Sequence, residues 1–218
     1  MAVSAAQKRN VRYTAFALAG VIALMLGLFV RQFVNPSQLD PSWLRTRNAV
    51  IFDAPRQFQA PRLIDQEGRP FDGSAFQGKW SVVFFGFTHC PDVCPTTLSL
   101  LRQVQDALKP AQGQRLPVAF YLSSVDPARD TPAQLKPYVA HFSPSFTGLT
   151  GEFLDVHRFS TELNTPFRKS LLPDGDYTVD HGSNLALIDQ RGHFAGFVTP
   201  PFDVGKLTEL LEVMRSRP

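Results

Sequence analysis

Cysteine is scarce in this 218-residue chain: it occurs only at Cys90 and Cys94. Acidic side chains are missing from residues 1–34, and no internal repeat, low-complexity tract or basic stripe appears. Each absence removes a class of protein. Two cysteines cannot make a disulfide framework, and about 180 globular residues bury a substantial core without one. With no cysteine near the N-terminal apolar segment, there is no thiol to acylate and a lipoprotein is excluded. Without a basic stripe, nucleic acid is not an expected partner. An apolar share of 44% against a charged share of 19% argues against disorder.

The net charge of +3 belongs to the N-terminus. Lys8, Arg9, Arg12 and Arg31 lie in residues 1–34, and the remainder carries 18 basic against 19 acidic groups. Tyr13 to Val30 contains no charge and is dominated by Ala, Leu, Val, Ile, Phe and Gly. That is about the minimum length to cross a bilayer, and Phe33-Val34 extends it. The preceding basic cluster predicts an N-terminus inside and everything after Arg31 outside. Arg31-Gln32-Phe33-Val34-Asn35 offers no small-x-small cleavage site, which favours a retained anchor over a signal peptide. The expected organisation is a cytoplasmic N-terminus at 1–12, a transmembrane anchor at 13–34, a tether at 35–54 and a folded domain at 55–218. An outward-facing domain meets an oxidising compartment, where a close thiol pair is expected to be used.

From about Gln57 the pattern becomes globular. Arg62 to Phe71 reads as a hairpin with Gly68 in the turn. Ser81 to Phe87 is a near-continuous apolar run, as in a strand covered on both faces. Leu98, Leu101, Val104 and Leu108 recur at helical spacing. Val118 to Leu122 is a second buried strand, and Thr131-Pro132 opens another helix, with threonine as N-cap and proline in the first turn. A short strand at Phe146–Leu149, a helix at Glu152–Leu163, a hairpin across Gln190-Arg191-Gly192 and a helix at Val204–Met214 complete the order. Hairpin, βαβα, βα, hairpin and helix make a thioredoxin-like α/β fold with an N-terminal β-hairpin extension and an insertion before the second hairpin, all preceded by one transmembrane helix.

Cys90 and Cys94 fall between the central strand and its helix. There the unpaired N–H groups and the helix dipole are expected to stabilise a thiolate. Two helical cysteines four apart rise about 6 Å, near the upper limit for a disulfide, so a little unwinding lets the pair cycle. As a permanent staple so short a loop gains little. The pair can also hold a soft metal, but two thiolates are an incomplete site, and five histidines offer a third ligand. His89 adjoins Cys90, and strand alternation sends neighbours to opposite faces. His141 and His157 read as surface or capping residues of helices, and His193 as a strand residue at a hairpin edge. His181 lies in the polar segment Asp176 to Asn184, which delivers the chain into a buried strand at the same end of the sheet as the cysteine loop. Two sulfurs and one imidazole suit Cu(I), and with an added ligand Zn or Cu(II).

Phe85-Gly86-Phe87-Thr88-His89-Cys90-Pro91-Asp92-Val93-Cys94-Pro95, Ser124-Val125-Asp126-Pro127-Ala128-Arg129-Asp130-Thr131-Pro132 and Asp176-Tyr177-Thr178-Val179-Asp180-His181 occur in that order. Over residues 55–215 the chain resembles the SCO/SenC family of membrane-tethered, thioredoxin-fold copper proteins, which serve assembly of the binuclear copper site of cytochrome c oxidase. The resemblance implies that Cys90, Cys94 and His181 are copper ligands, for Cu(I), Cu(II) or both. It implies a single-pass protein of the bacterial inner membrane with its domain in the periplasm. The implied partners are the copper-bearing oxidase subunit, other periplasmic copper chaperones and a thioredoxin-like reductant. Asp180 is a candidate to orient His181, and Asp92 a candidate to tune the site or meet a cationic partner. Gly182, where relatives often carry a bulkier residue, is expected to loosen the histidine loop.

Three functions compete. A metallochaperone holds copper on the three side chains and passes it on by ligand exchange. A thiol–disulfide reductase uses one cysteine to attack a partner disulfide and the other to resolve it, and has little need of His181. A peroxiredoxin is suggested by Cys94-Pro95-Thr96, but it needs a threonine three residues before its cysteine, where Pro91 stands.

Overall fold

The structure, a computed structural model, describes residues 5–34, 39–59, 61–110, 116–173 and 175–216. The chain divides into two compact units, Met1–Leu39 and Asp40–Pro218. The first holds helix α1, Ala5–Val34, from which Phe16, Leu18, Leu24, Met25 and Phe29 project exposed. Among the described residues no helix is long and apolar enough to cross a membrane.

The second unit starts earlier than the sequence suggests. A short helix α2 (Pro41–Arg45) is capped by Asp40, whose Oδ1 accepts the Ser42 N–H at 2.7 Å. Strand β1 (Ala49–Arg56) then pairs antiparallel with a strand near the C-terminus. Residues 49–54, expected in a tether, are thus part of the sheet. Their apolar alternation is blurred because β1 is an edge strand with only Ala49 buried, and an edge is where Pro55 is tolerated.

The hairpin β2 (Leu63–Asp65) and β3 (Pro70–Phe71) turns at Gly68, whose φ is +75°. Strand β4 (Trp80–Gly86) leads into helix α3 (Val93–Ala107), and β5 (Val118–Ser124) into α4 (Pro132–Phe142). Strand β6 (Thr147–Gly151) is followed by α5 (Phe153–Glu162), and then by β7 (Phe167–Leu171) and β8 (Tyr177–His181). The hairpin β9 (Leu185–Ile188) and β10 (Phe194–Val198) precedes α6 (Val204–Arg215). Among the described residues eight strands form one sheet in the order β1-β10-β9-β4-β5-β6-β2-β3, with β4, β5 and β6 parallel. The β7–β8 hairpin is a separate two-stranded sheet, where the sequence suggested only an insertion and a polar loop.

β4 lies between β5 and β9, so Ser81 to Gly86 are all buried. Alternation sends Phe85 to one face, 5.5 Å from the ring of Phe159 on α5, and Phe84 to the other. Phe76 stacks on Phe159 and meets Tyr121 edge-on, and each such ring contributes roughly 1.5–3 kcal/mol on burial. The stripe read on α3 holds for Leu98, Leu101 and Val104, all buried, while Leu108 is the residue that ends the helix.

Two glycines admit close approaches. Gly196, with φ +155°, sits where the β9–β10 register shifts, and a Cβ there would lie 2.1 Å from the Val50 carbonyl oxygen. At Gly86 a Cβ would lie 2.8 Å from Cys94 Sγ and 2.9 Å from the Phe84 ring. Gly196→Ala is expected to push β1 off the sheet at a cost of roughly 1–3 kcal/mol. In a thermal unfolding scan that is a Tm lowered by about 2–4 °C per kcal/mol. Gly86→Ala overpacks the core beside α3 and is expected to cost a similar ~1–3 kcal/mol. A Tm equal to wild type in the same scan refutes the close packing described for that position.

Candidate metal centre

β4 delivers the chain at Gly86 to a turn through Phe87, Thr88 and His89, closed by the Cys90 N–H donating to the Phe87 carbonyl at 3.2 Å. Helix α3 begins at Val93, so Cys94 lies in its first turn and is fully buried, while Cys90 is half-buried. Both are free thiols. The Cys94 N–H, one of the donors a helix start leaves without an internal partner, points at Cys90 Sγ at 3.4 Å. The helix N-terminus therefore acts on Cys90. It does not dominate at Cys94, where burial pushes the thiol well above its ordinary range, with Cys90 adding to the rise. The thiolate stabilisation expected from the helix end is overturned at Cys94, because desolvation outweighs it at a buried thiol.

His181 is the last residue of β8. Its Nε2 lies 3.8 Å from Cys94 Sγ, and its Nδ1 donates to the Gly182 carbonyl at 3.0 Å, which leaves Nε2 as the open lone pair. Phe84 and Phe87 meet the imidazole edge-on at 6.2 and 5.9 Å. Burial lowers the pKa of His181 and favours the neutral ring, the form that ligates a metal. The ligand atoms of Cys90, Cys94 and His181 all lie within 4.8 Å of one another. Metal–sulfur and metal–nitrogen bonds of about 2.0–2.3 Å let two ligands of one ion stand up to roughly 4.6 Å apart, so the three fit a single soft ion with little movement.

The remaining candidates lie elsewhere. Asp180 points away from the imidazole: its carboxylate accepts Ser170 Oγ at 2.5 Å and faces Arg168 across the hairpin. The carbonyl of Gly182 orients His181, and Asp180 pins β7 to β8 on the exposed side. Asp92 is the exposed residue before α3 and makes no side-chain cap bond. His89 lies in the turn, not on the strand, with Nδ1 3.0 Å from Thr88 Oγ1. His141 is exposed at the end of α4, His157 packs against Phe153 and Phe167, and the N–H of His193 is held by Asp189. Gly182 packs near Thr165, where an added Cβ would lie 3.3 Å from the threonine methyl.

One contributor was not singled out in the sequence. Asp130 is fully buried and accepts the Thr88 N–H at 3.0 Å, Thr88 Oγ1 at 2.5 Å and Ser124 Oγ at 2.6 Å. It fastens the turn before Cys90 to the end of β5. The available signal was an acid four residues after Asp126 in the second quoted motif, which in sequence is indistinguishable from a solvated turn residue.

The family model for SCO1/SenC matches residues 54–215. A Stutzerimonas stutzeri protein named for copper binding is 40% identical over 178 residues, covering 78% of this chain and 86% of that one. Arabidopsis thaliana ScoI, solved with copper bound, is 33% identical with a TM-score of 0.67, covering 75% of this chain and all of that one. Yeast Sco1, also solved with copper bound, is 31% identical with a TM-score of 0.63, over 72% of this chain and 87% of that one. These likenesses carry the thioredoxin-like fold and place a three-ligand cluster in a chain related to copper proteins. The chain belongs to the SCO1/SenC family.

Proposed function

We propose that this protein is a membrane-anchored copper metallochaperone that binds copper through Cys90, Cys94 and His181 and delivers it to the binuclear copper site of cytochrome c oxidase. The observation that carries the proposal is the meeting of two sulfurs and one imidazole nitrogen within 4.8 Å, contributed by segments 87 residues apart. Two soft sulfurs with one borderline nitrogen favour Cu(I), and the exposed side of Cys90 and His181 leaves an approach for an acceptor's ligands. Transfer then proceeds by exchange, each bond to the cargo replaced by one from the copper-bearing oxidase subunit. Other periplasmic copper chaperones would supply the cargo.

The anchor rests on the sequence. Tyr13 to Val30 is uncharged over 18 residues. The basic residues before it orient the folded domain to the periplasmic side of a bacterial inner membrane.

A thiol–disulfide reductase acting on the oxidase copper-site cysteines is the second reading, favoured by the amide donated to Cys90 Sγ at the start of α3. Cys90 would attack as thiolate and Cys94 would resolve the mixed disulfide. The two electrons and two protons that restore the dithiol would come from a thioredoxin-like reductant. Both readings require the dithiol, and His181 separates them.

Metal analysis of the reduced protein, wild type against Cys90→Ser, Cys94→Ser and His181→Ala, tests the site. One copper per wild-type chain is expected, with retention lost in each cysteine variant. His181→Ala is expected to weaken affinity by at least the roughly 10–100-fold that loss of an outer-shell partner costs. Unchanged affinity and normal oxidase copper loading in His181→Ala would leave the reductase ahead.

A further inference from the structure

The β7–β8 hairpin carries His181, yet among the described residues it shares no ladder with the eight-stranded sheet. Apart from the three-residue link from His181 to β9, its position relative to the cysteines is set by side chains. Phe167 and Val179 bury apolar surface, a hold without direction along the strand. The directional contacts are made at Asp126, in the loop between β5 and α4. That carboxylate is fully buried and accepts the Tyr177 hydroxyl at 2.8 Å on Oδ1. Lys169 Nζ lies 3.6 Å from the same oxygen, and Arg129 Nε donates to Oδ2. Arg129 also covers the Tyr177 ring at 4.0 Å and lies 3.6 Å from Asp176, the residue before the same strand.

Strand periodicity links this cluster to the metal centre. Tyr177, Val179 and His181 alternate onto one face of β8, and Thr178 and Asp180 onto the other. Tyr177 stands four residues from His181, about 13 Å along the strand, with buried Val179 between them. A bond fixing Tyr177 along the strand axis fixes the reach of the imidazole. A buried carboxylate without its donors is costly, which makes the seated hairpin the favoured one.

We propose that Asp126, through Tyr177 and Lys169, is a positioning residue that sets the reach of His181 toward Cys90 and Cys94. The proposal rests on His181 being a copper ligand. Arg129 holds Asp126 in place from within the loop, and the two hairpin donors carry the hold across to β8.

The test uses full-length protein with Tyr177→Phe, which removes one hydroxyl, and Lys169→Met, beside the more disruptive Asp126→Asn. Cu(I) affinity is measured against a competing chromogenic chelator. The imidazole nitrogen coupling is read by paramagnetic resonance after loading Cu(II). Tyr177→Phe is expected to lower Cu(I) affinity roughly tenfold and to weaken the nitrogen coupling. It is expected to add nothing in a His181→Ala background. Wild-type affinity and coupling in both Tyr177→Phe and Lys169→Met overturn the proposal, as does an equal loss with and without His181. If His181→Ala alone costs nothing, the ligand assignment itself fails and takes the proposal with it.

Discussion

Two carboxylates buried in one loop, Asp126 and Asp130, constrain the rest of the candidate centre. A carboxylate taken out of water is costly unless hydrogen-bond donors and counter-charges replace the solvent. Asp130 draws its donors from Ser124 at the end of β5 and from Thr88, two residues before Cys90. Asp126 draws its own from Arg129 in the loop and from Tyr177 and Lys169 on the hairpin that ends in His181. One loop thus reaches both halves of a site whose parts are 87 residues apart. The acids of the loop are satisfied by these donors, and both halves of the site are held to it in the same way.

Within that frame the two cysteines are not equivalent. Cys90 is half-buried and accepts an amide from the first turn of α3, whereas Cys94 is sealed between the helix and Gly86. Burial raises the thiol of Cys94 and lowers the imidazole of His181, so by themselves both resist acquiring charge. A bound cation reverses the balance at the sulfur, because it favours the thiolate that desolvation opposes. The centre is accordingly shaped for an ion more than for a free buried thiolate, and Cys90 and His181 are its solvent-reached members.

The second unit shows how local and non-local forces divide the work. The aromatic face of Phe76, Phe85, Tyr121 and Phe159 supplies non-directional burial that closes the sheet against α5. It does not dictate where a strand stops along its own axis. Polar contacts do that, at Asp130 for the cysteine turn and at Asp126 for the hairpin. The edge strand β1 is held in another way, by a ladder to β10 made possible where Gly196 carries no Cβ.

The sequence by itself determined the order of β4, α3, β5, α4, β6, α5, the β9–β10 hairpin and α6. Each of these buries a full face and so prints its period in the apolar residues. It also marked Cys90 and Cys94 as one unit, because four residues at a helix start need no tertiary information to be neighbours. Strand β1 and the β7–β8 hairpin were not legible as strands, since each buries only one residue per strand and polar residues, with Pro55 in β1, dilute their alternation. From position His181 was the favoured one of five histidines, and the family motif turned that preference into an assignment. Only the tertiary structure decided that its Nε2 faces Cys94 and that Gly182, not Asp180, orients the ring. It alone separated Asp126 and Asp130 from ordinary turn residues. The reason is physical: a chain records its local periodicities directly, but whether a carboxylate is solvated or buried, and which distant donor meets it, depends on what folds over it.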